Sequence, residues 1–221
     1  RNVLNCCIKA GVQHLTVTSS GAAYGYHVDN PTWIDEQDEL RGNAEFAYAD
    51  HKRQIEELLA DFRQQQPQLQ QLIFRPGTVL GADTRNQITG LFMARRILAL
   101  KGSDSPFVFI WDQDVLDAMQ MGIVENKTGI FNMAGDGALT MKQIAAKLNK
   151  PLLTLPVWLV KAALQTAKWR GKPTGSEQVN FLRYRPVLSN RRLKEEFGYK
   201  LAKTSAETFD YFIECNNLRK P

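Results

Sequence analysis

Residues 13–25 read QHLTVTSSGAAYG, and this stretch decides the fold that the sequence predicts. Its first half is rich in β-branched residues, which favours a strand over residues 13–19. The strand ends in Ser19 and Ser20, and the glycine and alanine that follow are typical of a turn. We therefore expect a buried strand that delivers two serine hydroxyl groups at its carboxyl end.

Strands and helices alternate along the rest of the chain. The hydrophobic pattern predicts further strands over residues 72–74, 107–110 and 129–133. It predicts helices over residues 2–10, 45–65, 87–100, 113–125, 140–148, 157–169, 190–197 and 205–216. Because such helices between strands are crossover connections, the pattern predicts an α/β fold with a parallel sheet. Ligands of these folds bind at the carboxyl ends of the strands, so we expect the site there.

The composition limits the class of protein. Of the 221 residues, 43% are hydrophobic and 23% are charged, which is typical of a globular protein and argues against disorder or a coiled coil. No apolar run reaches about 18 residues, so we expect no membrane partner. Cys6, Cys7 and Cys215 form no paired motif, and we expect reduced, buried or half-buried thiols. The three histidines lack the spacing of metal ligands, so we expect no metal site.

The net charge of +5 is compatible with nucleic acid, an acidic membrane or a small anionic ligand. Apart from a short cluster between Arg183 and Arg192, the basic residues look evenly spread, and the sequence contains no recognised nucleic-acid-binding motif. We therefore expect a solvated basic face and no nucleic-acid partner.

Residues 48–52 (YADHK) are the first candidate for catalysis. Residues four apart on a helix share a face, so the Lys52 ammonium lies near the Tyr48 phenol. A nearby positive charge favours the phenolate, and such a tyrosine can exchange a proton with an alcohol. The spacing alone is weak evidence, because Tyr199 and Lys203 repeat it where a helix should end. We assign that second pair to chance.

Ser20 is the natural companion of Tyr48, because it follows a buried strand. Its hydroxyl can hydrogen-bond the same substrate oxygen that Tyr48 protonates or deprotonates. The alternative is a purely local role, since Ser-Gly is a common turn pair.

Three motifs stand in the order and spacing of a known family. Residues 17–25 (VTSSGAAYG), 48–52 (YADHK) and 72–81 (LIFRPGTVLG) resemble the extended short-chain dehydrogenase/reductases. More narrowly, they resemble the nucleotide-sugar epimerase/dehydratase branch, which includes UDP-glucose 4-epimerase-like proteins. Residues 107–115 (FVFIWDQDV) and 129–135 (GIFNMAG) are similar to later segments of that family.

The resemblance implies a role for each matching residue. Ser20 matches the catalytic serine, Tyr48 the acid/base tyrosine, and Lys52 the lysine that also hydrogen-bonds the nicotinamide ribose of NAD or NADP. The loop beside the nicotinamide would be formed by Pro76, Gly77, Thr78 and Val79. Candidates for gripping a substrate diphosphate are Arg85, Asn86, Arg183 and Arg185. A surface role is the alternative for Arg183 and Arg185, and we expect Asp114 to cap or stabilise its own helix.

The family fold begins with a glycine-rich turn that receives the cofactor pyrophosphate, and this sequence lacks one. We therefore expect the C-terminal portion of a Rossmann-like parallel sheet plus a smaller, mostly helical substrate domain. The strand at 13–19 would lie at an edge, and on the order of 100 residues would precede it in a longer chain. Residues 1–81 and 107–130 would belong to the dinucleotide-binding domain, and residues 82–106 and 131–221 to the substrate domain.

The implied function is that of an NAD(P)-dependent oxidoreductase or epimerase acting on a nucleotide sugar in the cytoplasm. Helices 2–10 and 45–65 would form the interface of a homodimer. A dehydratase is disfavoured, because Gly21 and Ala22 rather than acidic residues follow Ser20. One alternative is a reductase or hydroxysteroid-type dehydrogenase, since the hydrophobic helix over residues 157–169 would suit an apolar substrate. The other is a catalytically silent binding module, which the absence of the glycine-rich turn favours.

Overall fold

The structure is a computed structural model that describes residues 1–170, 175 and 178–218. Its strands are β1 (His14–Thr18), β2 (Gln70–Pro76), β3 (Thr78–Leu80), β4 (Ile97–Leu100), β5 (Phe109–Trp111), β6 (Gly129–Met133) and β7 (Leu152–Leu155). Its helices are α1 (Asn2–Lys9), α2 (Ala47–Gln65), α3 (Gln87–Met93), α4 (Asp112–Val124), α5 (Met141–Lys147), α6 (Val157–Trp169), α7 (Gln178–Arg183), α8 (Arg191–Glu195) and α9 (Ser205–Cys215). A 3₁₀ turn, Gly21–Tyr24, follows β1.

The strands of the described residues form three sheets, and the strands within each sheet are parallel. The central sheet has the order β1-β2-β6, β3 pairs with β5, and β4 pairs with β7. The predicted α/β class with parallel sheets is therefore confirmed. As expected, β1 is an edge strand of the central sheet. The predicted division into two domains stays a prediction, and its second part extends beyond the described residues.

Two apolar clusters form the main core. One lies against β2 and β6 and contains Phe74, Phe131 and Phe197, whose rings pack within 6.4 Å of one another. The other surrounds Phe92 and joins α3, β5 and α9. The first cluster reaches the carboxyl end of β1, because Phe74 is the backbone partner of Thr18, the last residue of that strand.

The predicted helix over residues 87–100 is wrong. Asn86 caps α3 by accepting from the backbone N–H groups of Ile88 and Thr89, but the helix ends at Met93. Residues 97–100 instead form β4, whose backbone pairs with β7. The apolar residues of this stretch fit a helical period, and pairing with a distant strand overrides it. By contrast, Thr140 caps α5 as predicted.

The cysteines differ from the expectation in their exposure. Cys6 and Cys215 are exposed, and Cys7 is half-buried; none of the three is in a disulfide. Within the described ranges, no cluster of three or more His, Cys, Asp or Glu side chains could hold a metal ion. None of the described helices is long and apolar enough to cross a membrane.

A buried ion pair fastens α2 to the central sheet. Arg75 on β2 donates from Nε to both carboxylate oxygens of Glu56 at 2.9 Å, and from Nη2 to Oε2 at 2.5 Å. The side chains are only 4% and 2% exposed. The Ser19 hydroxyl, at the end of β1, donates to Glu56 Oε1 at 2.6 Å. One carboxylate thus joins a helix to two adjacent strands.

The same network continues to the third strand of the sheet. Arg75 Nη1 donates to the Tyr24 hydroxyl at 2.8 Å, which in turn donates to Asn132 Oδ1 on β6 at 2.8 Å. The Asn132 backbone N–H donates to Glu36 Oε1 at 2.6 Å. Burial raises the pKa of Tyr24 and of the Glu36 carboxyl. Charged and polar side chains of β2 and β6 therefore hold the loop between β1 and α2 on the sheet.

Replacement of Glu56 tests the importance of this network. In Glu56→Ala the buried Arg75 guanidinium loses its carboxylate, and we expect a loss of about 3–5 kcal/mol in the free energy of unfolding. The matched control is Glu57→Ala, which removes an exposed ion pair with Arg53 and should leave the free energy of unfolding nearly unchanged. Urea unfolding followed by circular dichroism measures both; equal losses would contradict the account.

Candidate active site

The first β-strand places Ser20 at the carboxyl edge of the central sheet. The Ser19 backbone N–H donates to the carbonyl of Phe74 at 2.7 Å, which carries the β1–β2 pairing one residue further. Ser20 is buried, and its Oγ accepts from the Ala22 backbone N–H at 3.1 Å, so it caps the 3₁₀ turn. The local turn role is thus present. A hydroxyl has one proton and two lone pairs, so this bond leaves its proton available for a substrate oxygen.

Tyr48 and Lys52 lie in the first turns of α2, facing the end of β1. Lys52 Nζ donates to the carbonyl of Thr18 at 3.2 Å and lies 5.8 Å from the centroid of the Tyr48 ring. Tyr48 is 54% exposed, which leaves its phenol accessible to a ligand. The Lys52 ammonium therefore lies at the strand end, with the Tyr48 ring beside it.

The register of α2 follows from its contacts with the sheet. Tyr48, Lys52 and Glu56 are spaced by four residues, so they share one face of the helix. Glu56 is locked to Ser19 and Arg75, and the 3₁₀ turn packs against the same helix. The network thus holds the helix that carries Tyr48 and Lys52 against the end of β1 and the 3₁₀ turn that Ser20 caps.

The segment that follows β2 crosses the same edge. The Gly77 N–H donates to the carbonyl of Met133 at 2.9 Å, and the Thr78 N–H to that of Val108 at 3.2 Å. A Cβ at Gly77 would lie 3.6 Å from Leu188, and one at Gly21 only 2.7 Å from it. Because both glycines lie against this buried leucine, the structure brings the segment 76–79 and the Ser20 turn together.

A cleft of about 440 Å³ opens beside α2. Its lining consists of Tyr26, His27, Val28, Gly42, Asn43, Ala44, Glu45, Asn180, Arg183 and Tyr184. A Cβ at Gly42 would lie 2.4 Å from the carbonyl of Ala49, the residue after Tyr48. The wall of the cleft therefore packs against the backbone of α2 at Ala49.

Aromatic rings connect this cleft to α7. The Tyr26 ring lies edge-on to those of Phe46 and Phe181, with 5.4 Å between centroids in each case. Burial raises the pKa of Tyr26, and the neighbouring Tyr48 acts in the same direction. Through Phe181, the start of α2 is packed against the short helix that carries Arg183.

The two predicted arginines of this region differ in their surroundings. Arg183 lines the cleft, its guanidinium lies 4.7 Å from the Tyr184 ring, and its buried Nε has no hydrogen-bond partner among the described residues. Arg185 is only 9% exposed and lies 3.8 Å from the centroid of Phe107. No described ion pair includes Arg185, and burial lowers its pKa. The surface alternative is therefore wrong for Arg185.

Arg85 and Asn86 lie apart from these residues, on the loop after β3. Arg85 is exposed and donates to the carbonyl of Thr84 at 3.1 Å. The Asn86 oxygen is engaged in the cap of α3. Neither lines the cleft, so their assignment to a substrate diphosphate stays a prediction.

Asp114 acts at a distance from its own helix. It accepts from the Tyr199 hydroxyl and from the Ala202 backbone N–H, both at 2.9 Å, and thereby holds the loop before α9. Asp114 does not cap α4, because Trp111 occupies the capping position, but it lies in the first turn of that helix, where a carboxylate favours the helix as expected. Lys203 Nζ lies 4.5 Å from the Trp111 ring. The second Tyr-Lys pair is thus engaged in structural contacts, which agrees with its assignment to chance.

Several residues that hold the site in place were not indicated by the sequence pattern. The clearest are Glu56, Arg75 and Asn132, whose side chains are all buried. Two signals could have indicated them: Glu56 follows Lys52 by four residues, and Arg75 is a charge at the end of an apolar strand. A buried charge needs a partner, and its partner must come from the helix that packs on that strand.

Solved structures of similar fold hold NAD. The UDP-glucose 4-epimerase of Thermus thermophilus, in complex with NAD, matches with a TM-score of 0.66 and 19% identity over 96% of this chain and 67% of its own. The enzyme WbmG of Bordetella bronchiseptica, in complex with NAD and UDP, matches with a TM-score of 0.71 and 17% identity over 98% and 62%. The dTDP-glucose 4,6-dehydratase of Bacillus anthracis, in complex with NAD, has a TM-score of 0.69 and 14% identity over 97% and 65%.

Curated relatives of this chain carry no assigned activity. An uncharacterized protein of Mycobacterium tuberculosis and one of Mycobacterium bovis are each 23% identical over 216 residues, or 96% of this chain. The chain spans 57% of their length. The model of the NAD dependent epimerase/dehydratase family matches residues 1–119, more than half of the chain and the part that contains Ser20, Tyr48 and Lys52. The chain therefore belongs to the NAD dependent epimerase/dehydratase family.

Proposed function

We propose that this protein is an NAD- or NADP-dependent oxidoreductase or epimerase that acts on a nucleotide sugar in the cytoplasm. The observation that carries the proposal is the convergence of Ser20, Tyr48 and Lys52 at the end of β1, beside a cleft that contains Arg183. The family match and the NAD-bound and UDP-bound neighbours support it.

The residues present fit the nicotinamide end of a dinucleotide. Lys52 is held at the strand end by the Thr18 carbonyl, where an ammonium can donate to ribose hydroxyls, and the segment 76–79 lies across the same edge. Bound nicotinamide supplies the hydride acceptor and donor of such a reaction. We assign no residue to the adenosine half, because the described chain has no glycine-rich turn between a strand and a helix.

Tyr48 is the proposed acid/base. It takes the proton from a sugar hydroxyl as the carbon that bears it is oxidised, and Lys52 stabilises the phenolate electrostatically. Ser20 donates its proton to the same oxygen and fixes its position. The anchored face of α2 keeps the three groups in place, so that little reorganisation is needed when substrate binds.

Arg183 is the proposed contact for the substrate diphosphate. It faces the cleft, and an arginine guanidinium can donate two parallel hydrogen bonds to phosphate oxygens. Arg185 lies behind it without a carboxylate in the described structure, so an anion in the cleft would offset the cost of its burial. Arg85 and Asn86 remain secondary candidates, at the edge of a larger site.

We also propose a homodimer formed through α1 and α2. Val3 on α1 is 68% exposed, and Ile55 on α2 is 42% exposed. Exposed apolar side chains on these two helices favour burial against a second copy.

Substitution of Tyr48 tests the acid/base assignment. Tyr48→Phe removes the phenol oxygen that accepts the substrate proton, and we expect kcat to fall by about 100-fold or more in the full-length protein. The assay adds UDP-sugars and NAD and follows nicotinamide absorbance and epimer formation. The matched control is Tyr199→Phe, which breaks only the bond to Asp114 and should keep the wild-type rate. Retention of a third of the activity by Tyr48→Phe would exclude the mechanism.

Substitution of Arg183 tests the diphosphate contact. We expect Arg183→Ala to weaken UDP binding by about tenfold to 100-fold, because a charge-assisted hydrogen bond is lost. Isothermal titration calorimetry with UDP measures this, with Arg85→Ala in parallel and exposed Arg95→Ala as the control. An unchanged UDP affinity in Arg183→Ala would refute the contact, and a loss in Arg85→Ala alone would transfer the role to that loop.

Substitution of the exposed apolar pair tests the dimer. Val3→Glu combined with Ile55→Glu places charges on the proposed interface, and we expect a dimer to become a monomer. Light scattering coupled to size-exclusion chromatography reports the mass. A wild-type protein that is strictly monomeric would overturn the proposal.

A further inference from the structure

The positive charge of this protein is concentrated in one segment. Residues 137–176 contain seven Lys or Arg residues and no Asp or Glu. The other 181 residues contain 21 basic and 23 acidic residues, so they are close to neutral. The net charge of +5 therefore comes from this segment, in which no acidic residue offsets the basic ones.

Helix α6 (Val157–Trp169) lies in the middle of this segment and exposes large apolar side chains. Trp158 is 70% exposed and Trp169 is 76% exposed, the latter as fully as any large apolar residue in the described chain. Leu159 is exposed as well. Only Val160 is fully buried in this helix, where it packs with Leu100 and Val179.

The exposed residues of α6 are arranged in a pattern. At roughly 100° per residue, Trp158, Ala162 and Trp169 fall within about 40° of one another. The two tryptophans stand about 16 Å apart along one stripe of the helix. Lys161 and Lys168 lie on one flank of this stripe and Arg170 on the other, and all three are exposed. We call this surface, formed by Trp158, Ala162, Trp169, Lys161, Lys168 and Arg170, the tryptophan face.

The loop that begins at Lys101 neighbours the tryptophan face and carries one basic and one acidic residue, Lys101 and Asp104. The Lys101 backbone N–H donates to the carbonyl of Leu155, which places exposed Lys101 next to the beginning of α6. The tryptophan face itself contains no acidic residue. Its charge is therefore complementary to an anionic surface.

The chemistry of the face selects among anionic partners. Tryptophan rings with flanking lysines are the composition of helices that lie in the interface of a lipid bilayer. There the rings enter the headgroup region, while the long lysine side chains reach the phosphates. A single-stranded nucleic acid would be bound by stacking in a basic groove, whereas these two rings stand on a convex helix.

We propose that the tryptophan face binds the surface of membranes that contain anionic lipids. The helix lies parallel to the membrane with Trp158 and Trp169 in the headgroup region, and Lys161, Lys168 and Arg170 contact lipid phosphates. The expectation of no membrane partner rests on the absence of a spanning segment, which this contact does not require. The proposal is independent of the nucleotide-sugar activity, since no residue of the tryptophan face lines the cleft.

Vesicle binding of the full-length protein tests the proposal. Sedimentation with vesicles of phosphatidylcholine mixed with phosphatidylglycerol is compared with vesicles of phosphatidylcholine alone. We expect binding to the anionic vesicles that falls as salt is added. Trp158→Ala combined with Trp169→Ala should weaken binding by about tenfold or more, because the two rings that enter the headgroup region of the membrane are lost.

Two controls separate this surface from the rest of the molecule. Trp33→Ala removes an exposed tryptophan outside α6 and should leave binding unchanged. Lys161→Glu should weaken binding by about tenfold, whereas Lys200→Glu makes the same charge change on exposed residue 200 and should not. If the double tryptophan variant fails to fold by circular dichroism, the lysine pair carries the test.

Each other outcome overturns the proposal. Absence of binding to anionic vesicles does so, as does equal binding by Lys161→Glu and Lys200→Glu. Binding to single-stranded RNA without binding to vesicles would assign the face to nucleic acid. A wild-type dimer that the tryptophan substitutions convert to a monomer would assign it to a second copy of the chain.

Discussion

The ion pair between Glu56 and Arg75 is the interaction on which the site depends. Both charges are removed from water, so neither can be left without the other. The pair also fixes how α2 lies on the sheet. Glu56 of α2 must lie against Arg75 near the end of β2, and Ser19 must lie against the same carboxylate. Once these contacts form, Lys52 lies one turn earlier and Tyr48 two turns earlier on the same face of α2, and the Lys52 ammonium reaches the end of β1. The proposed catalytic groups are thus placed by a charged pair to which the proposed mechanism assigns no step.

The network explains why polar side chains fill the space beneath the loop that follows β1. Tyr24 hydrogen-bonds both Arg75 and Asn132 and so connects β2 to the third strand, β6. Glu36, on the loop after β1, accepts from the Asn132 backbone N–H. Such a connected set leaves few buried polar atoms without partners, although Glu36 Oε2 is one of them among the described residues. Gly25, with a φ of +80°, allows the chain to turn above this network. The loop after β1 is therefore fastened to the sheet by this network, whereas Tyr48 of the candidate site remains exposed to solvent.

Much of the fold could be predicted from the sequence, because local patterns decide it. Strand Gly129–Met133 and helix Val157–Trp169 have the predicted bounds. Turn residues flank the strand, and an amphipathic period runs through the helix. The three-residue strand β3 is too short for any period to reveal it. Strand β4 was taken for helix because its partner β7 lies more than 50 residues away. The network escaped prediction for the same reason, as Tyr24 and Asn132 are 108 residues apart.

The candidate site was predicted in part for a different reason. Ser20, Tyr48 and Lys52 belong to short motifs, and the structure brings these motifs to one strand end. Arg183 and Arg185 carried no motif, and only packing distinguishes an arginine that lines the cleft from one buried behind it. The most direct test of the account is a crystal structure of the full-length protein with NAD and a UDP-sugar. The account predicts that Tyr48 Oη and Ser20 Oγ both lie about 2.6–3.2 Å from one sugar oxygen. A sugar bound with neither group in hydrogen-bond reach of the same oxygen would contradict it.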